Sequence, residues 1–125
     1  MSDKKTVFLV DDDPFYTSML ADHLEDRGYA VHSFGTGEAC LAQLEARPDV
    51  IILDYYLDSN VRSAQNGLEI LKIIHKQSPE QMVIMLSGQE HYGIALQTLA
   101  KGAVQYVIKD QEAFGEIDKA LEAFA

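Results

Sequence analysis

Four acidic side chains give the first hint of chemistry in this chain: Asp11, Asp12 and Asp13 in a row, and Asp54 directly after the apolar run 50–53. Ser87 follows a second apolar run at 82–86, and Lys109 a third at 104–108. Carboxylates, a hydroxyl and an ammonium brought to one place make a specific kind of site. Two carboxylates about 4 Å apart repel by roughly 4 kcal/mol at an effective dielectric near 20. Several together therefore require protonation, a lysine or a bound cation. Oxygen-only donors favour a hard ion such as Mg2+, which takes one or two carboxylates plus phosphate oxygens and keeps several waters. A carboxylate facing that ion can act as a nucleophile toward phosphorus, while metal and lysine neutralise charge on the transferring group.

Each residue also has a plainer reading. Three acids before an apolar helix could only cap it and favour its positive end; that explains Asp13, but a cap needs one acid and here there are three. Asp54 alone reads as a turn residue after a strand, Ser87-Gly88 as a Ser-Gly turn, and Lys109 as a solvated lysine. What favours chemistry is their coincidence after successive strands.

Those strands are legible as short β-branched runs at Thr6–Val10, 50–53, 82–86 and 104–108, with a more polar run at Ala30–Phe34 suited to an edge. Helical patterns lie between them. Pro14 at a first helical position opens one whose apolar spacing takes in Phe15, Met19, Leu20 and Leu24, ending at Gly28. Residues 36–45 read as a second helix with Ala39, Leu41 and Leu44 inward. A third begins at 68–75, a fourth spans 91–101 before Gly102, and a fifth spans 113–124. This βα alternation predicts an α/β fold with a parallel sheet covered on both faces, whose site lies at the carboxyl ends of the strands. Residues 55–66 form an irregular polar stretch, long for a βα loop.

The chain has 125 residues, enough for one domain, here 1–125. Its net charge of −10 argues against direct nucleic-acid binding and suits a cation. Cys40, the one cysteine, reads as a small buried hydrophobe. No apolar run is long enough to span a bilayer, no signal-type segment follows the start, and the expected location is cytoplasmic. His23, His32, His75 and His91 lack metal-ligand spacing, and Gly35 and Gly37 form no phosphate-binding loop with a lysine, so no nucleotide cofactor is expected.

The segments Val10-Asp11-Asp12-Asp13-Pro14, Ile51-Ile52-Leu53-Asp54, Asn66-Gly67-Leu68-Glu69, Met85-Leu86-Ser87-Gly88 and Tyr106-Val107-Ile108-Lys109 together resemble the response-regulator receiver family of two-component signalling. The resemblance spans the chain. It implies a doubly wound, flavodoxin-like five-stranded sheet of order 2-1-3-4-5, with no output domain. It implies Asp54 as phosphoacceptor, and Asp11, Asp12, Asp54 and the Tyr56 backbone carbonyl as Mg2+ ligands. Ser87 and Lys109 would hold phosphoryl oxygens, with Ser87 and Tyr106 as the switch pair. The implied partners are a histidine kinase or phosphotransfer protein, and a downstream protein meeting the face of the fourth helix, fifth strand and fifth helix. The chain departs from the family pattern in the longer stretch before Gly67, in Asp58 where proline is common, and in Asp110 after Lys109, so the Lys109–Asp110 bond is expected trans.

Two rival classes stand beside this self-phosphorylating switch, which catalyses only its own phosphoryl transfer. An aspartyl-nucleophile phosphatase wants a second acid two residues after the nucleophile, where Tyr56 stands; turnover of a phosphate ester would mark it. A phosphorylation-independent pseudo-receiver would lack Mg2+ binding, and the complete acid, hydroxyl and lysine set argues against it.

Overall fold

The computed structural model describes residues 4–55, 67–88 and 92–123. Strands and helices alternate: β1 (Thr6–Val10), α1 (Pro14–Asp26), β2 (Ala30–Phe34), α2 (Gly37–Ala42), β3 (Val50–Asp54), α3 (Gly67–Gln77), β4 (Met82–Ser87), α4 (Tyr92–Ala100), β5 (Gln105–Ile108) and α5 (Ala113–Ala123). The strands form one sheet in the order β2-β1-β3-β4-β5, and every pairing is parallel. Fold class, strand order and the polar edge strand β2 all follow the sequence expectation.

The β-branched runs of β1, β3 and β4 form strands because both faces are buried, so alternate side chains enter two different cores. The run at 104–108, read as a buried strand, instead gives the second edge strand β5, with Gln105 exposed and Val107 buried, and Val104 lies exposed before it. Val7, Leu9, Val50, Ile52, Ile84, Leu86 and Val107 pack with Leu20 and Leu24 of α1 and Ile117 and Leu121 of α5. Phe8, Val10, Ile51, Leu53, Val83 and Met85 pack with Cys40 of α2 and Ile70, Leu71 and Ile74 of α3. Cys40 is fully buried and burial pushes its thiol up to about 12, the inert hydrophobe expected.

Helix α1 starts where the sequence places it. Asp13 caps it, accepting from the backbone N–H of Phe15 at 3.0 Å and of Tyr16 at 3.3 Å, with Pro14 in the first turn. Its buried stripe corrects the sequence reading. Thr17, Leu20 and Leu24 point inward, whereas Phe15 and Met19 are exposed, Phe15 by 72%. Thr17 tolerates burial because its hydroxyl donates to the Asp13 carbonyl at 2.9 Å. That satisfied polar group takes the place an apolar-only stripe would have given to a neighbour.

The second helix is also shorter than expected. It ends at Ala42 and tightens into a 3-10 turn at Leu44–Ala46, with Arg47 left-handed at φ 53°. Gly37, Cys40 and Leu44 are buried, Leu41 is half-buried and Ala39 faces solvent. Gly37 sets this rotation, since a Cβ there would collide with the Ile70 side chain, so α2 lies directly against α3. After α4, Gly102 adopts φ 116° against the His75 ring, a conformation and a closeness that only glycine allows.

The cap at Asp13 should be separable from its charge. Asp13→Ser keeps an accepting oxygen, while Asp13→Ala should cost about 1 kcal/mol relative to the serine variant. Urea unfolding of the two variants measures the difference; equal midpoints would show that the cap does not hold α1.

Candidate functional site

Parallel register brings the polar residues level. Val10 pairs with Leu53, so Asp11, one residue on, stands beside Asp54. Asp54 pairs with Leu86, and Ser87 with Ile108, which sets Lys109 at the same edge. Backbone hydrogen bonds fix these strand ends. Asp11 N–H donates to the Phe34 carbonyl at 3.0 Å, Tyr55 N–H to Leu86 at 2.9 Å, and Lys109 N–H to Ser87 at 2.7 Å. Lys109–Asp110 is trans, as every described peptide bond is.

Asp11, Asp12 and Asp54 each offer a carboxylate oxygen, all within 4.8 Å of one another. Asp11 and Asp54 are buried and Asp12 is half-buried. Ser87, at the end of the adjacent strand, is fully buried. The Asp13 N–H donates to Asp11 Oδ1 at 2.9 Å, which fixes one oxygen of that carboxylate. The Lys109 ammonium lies 2.7 Å from Asp11 Oδ2 and 3.4 Å from Asp54 Oδ2. The contact with Asp11 is an ion pair whose angles fall short of a well-directed hydrogen bond.

Burial disfavours a charged Lys109, but the close contact with Asp11 and the charges of Asp54 and Asp11 outweigh it. Its pKa is held above the usual lysine value. The ammonium therefore stays protonated at neutral pH and stands as fixed positive charge between two carboxylates. Three carboxylates and one ammonium still leave the edge strongly negative. Oxygen donors only, one of them half-open to water, fit a hard divalent ion that keeps part of its hydration.

Gly67 completes the edge. A Cβ there would collide with the Asp54 backbone carbonyl, so α3 begins directly against the end of β3. Its N–H donates to the Tyr55 carbonyl at 2.9 Å. The structure thus brings together Asp11, Asp12, Asp54 and Lys109, with Ser87 on the neighbouring strand and Tyr106 half-buried against the α2–α3 core. The Tyr56 carbonyl, and the stretch 56–66 with it, lies outside the described residues.

One neighbour is missing from the sequence candidates. The Tyr16 ring lies under Lys109, with Nζ 4.7 Å from its centroid. Burial, followed by the Asp11, Asp110 and Asp54 carboxylates, raises the phenol pKa against the opposing pull of Lys109, so the ring stays neutral. The only sequence signal was an aromatic residue in the first turn after the acidic run.

Comparison with known proteins shows likeness over nearly the whole chain. A family model described as the response regulator receiver domain matches residues 7–122. The nitrogen assimilation regulatory protein NtrX of Azorhizobium caulinodans is 35% identical over 82% of this chain, which spans only 22% of that protein's length. The chemotaxis protein CheY of Listeria monocytogenes is 29% identical over 94% of this chain and 92% of its own. The structure of the BeF3-activated DrrB receiver domain superposes with a TM-score of 0.84 at 26% identity, covering 98% of this chain and 97% of that one.

If the carboxylate cluster takes a cation, Mg2+ at tenfold its dissociation constant should stabilise the fold by about 1.4 kcal/mol. Asp12→Ala should lose most of that gain. Thermal melting across a Mg2+ titration measures both; identical curves for the two proteins would place the cation elsewhere.

Proposed function

Because this chain belongs to the response regulator receiver domain family, we propose that it takes a phosphoryl group onto Asp54 from a histidine kinase or phosphotransfer protein and switches a protein-binding face in response. The observation that carries this reading is a buried carboxylate at the end of the central strand, with an ammonium at 3.4 Å and two further acids alongside. An Asp54 carboxylate oxygen forms the new bond to phosphorus as the bond to the donor's leaving group breaks, and the leaving group departs with that electron pair. Asp11, Asp12, Asp54 and the Tyr56 carbonyl would hold Mg2+, which neutralises charge on the transferring group. Lys109 and Ser87 hold the phosphoryl oxygens. The reaction is confined to the chain's own phosphorylation and dephosphorylation. A cytoplasmic location, and no direct contact with nucleic acid at a net charge of −10, belong to the same proposal.

The output face is that of α4, β5 and α5. Phosphorylation adds close to two negative charges and new acceptor oxygens at Asp54. Ser87 precedes α4, Lys109 directly follows β5, and their backbones are hydrogen-bonded at 2.7 Å, so a pull on either reaches both elements. Tyr106 lies on β5 and is half-buried against the core, a ring whose position Ser87 would govern. Leu96, Leu99 and Val104 are exposed nearby, with Leu96 exposed by 68%, and they offer apolar surface to a downstream protein. Two arrangements biased by the phosphoryl contacts are what a switch requires.

Incubation with acetyl phosphate and Mg2+ should add one phosphoryl group by intact mass, and Asp54→Ala should abolish the addition. Equal labelling of the alanine variant would overturn the assignment. With beryllofluoride as phosphoryl mimic, amide exchange should change mainly between Ser87 and Lys109. Changes confined to α1 and α2 would instead locate the output there.

A further inference from the structure

Three side chains among the described residues lie at the charged end of Lys109. Two are carboxylates, Asp11 at 2.7 Å and Asp54 at 3.4 Å, and the third is the face of Tyr16 at 4.7 Å. The carboxylates are the groups whose partners must change when a cation and a phosphoryl group arrive. The ring is not: it carries no charge and ligates nothing. An ammonium over an aromatic face is attracted by the ring quadrupole, and more strongly where water is excluded.

The ring is also held from α5. Phe114 of α5 and the Tyr16 ring form a T-shaped pair, with centroids 5.8 Å apart and planes at 80°. Phe114 in turn packs on His23 at 5.0 Å, and His23 Nε2 lies 2.9 Å from Asp118 Oδ2, with Arg27 Nε 3.0 Å from the same oxygen. Helices α1 and α5 are thus clamped around the ring. The Tyr16 hydroxyl is buried and finds no hydrogen-bond partner among the described residues. The described contacts of the Tyr16 side chain are those of its ring, with Lys109 on its face and Phe114 against it.

We propose that Tyr16 is a positioning residue for phosphoryl transfer: its ring, braced by Phe114, holds the Lys109 ammonium in reach of the phosphoryl oxygens while the lysine exchanges Asp11 for them. This rests on the reading of Asp54 as phosphoacceptor. A flat, featureless attractive face permits that short displacement without loss of contact, which a hydrogen-bonding partner would resist.

The test uses the full chain with Tyr16→Phe, which keeps the face, and Tyr16→Leu, which removes it. Four quantities are read: the maximal rate of phosphorylation by acetyl phosphate, the Mg2+ dissociation constant, the melting temperature, and the 15N-resolved signal of the Lys109 ammonium without metal. The leucine variant should be slowed by about tenfold and the phenylalanine variant by less than about twofold. Mg2+ affinity should stay within about twofold of wild type in both, because the ring touches no ligand oxygen. The ammonium signal should persist in the phenylalanine variant and broaden away in the leucine one. A wild-type rate and an intact ammonium signal in Tyr16→Leu would overturn the proposal. So would a rate and a Mg2+ affinity that fall together with the melting temperature, since that is the mark of a merely structural role. Should Tyr16→Leu fail to fold, Tyr16→Met takes its place with the same expectations. If the wild-type chain itself accepts no phosphoryl group, the Asp54 reading fails, and the ammonium signal still decides the role of Tyr16.

Discussion

One ammonium between two buried carboxylates is the interaction on which the rest of this structure turns. Asp11, Lys109 and Asp54 come from the first, last and middle strands of the chain, and only a parallel sheet with all its carboxyl ends at one edge brings them together. A buried ion pair is a poor source of stability, because desolvation offsets much of the attraction. The cohesion of the fold therefore comes from the two apolar layers on either side of the sheet. Their work at the site is to hold like charges closer than those charges would choose. An excess of negative charge held rigidly in place has a built-in affinity for whatever positive or electrophilic group can relieve it.

The two layers also give the site two distinct neighbourhoods. Tyr106 belongs to the α2–α3 side of the sheet, whereas Tyr16 and Phe114 belong to the α1–α5 side. Lys109 stands at the boundary, with its backbone joined to β4 and its ammonium over the Tyr16 ring. Asp54 therefore lies close to both neighbourhoods: the backbone contact between β4 and Lys109 on one hand, and the aromatic contact from Tyr16 to Phe114 of α5 on the other.

Much of this was legible in the sequence, for physical reasons that differ by element. The three inner strands were legible because a sheet buried on both faces demands unbroken β-branched runs, and β2 because an edge is half solvated. The sequence reads β5 as buried because its run is apolar, although its place at the other edge leaves Gln105 exposed. The start of α1 was legible because Asp and Pro act through local backbone geometry. The facing of α1 and α2 was not. Thr17 and Gly37 are buried for reasons of hydrogen bonding and helix contact that hydrophobicity does not report, so Phe15, Met19 and Ala39 looked like inward residues and are not. The acidic cluster and its lysine were legible from their positions after successive strands. The Tyr16 contact was not, because it joins the first helix to the end of the fifth strand and leaves no spacing to read.

The abutment of Gly67 on the Asp54 carbonyl, with its N–H bonded to the Tyr55 carbonyl, pinches the chain shut at the two ends of the stretch between them. Closing a flexible loop costs an entropy that grows only with the logarithm of its length, about 0.6 kcal/mol for each doubling. By that scaling, a longer connection between Tyr55 and Gly67 adds little to the cost of folding. The strand end that carries Asp54 is thus held in place by Gly67 and Tyr55, whatever the length of chain that joins them.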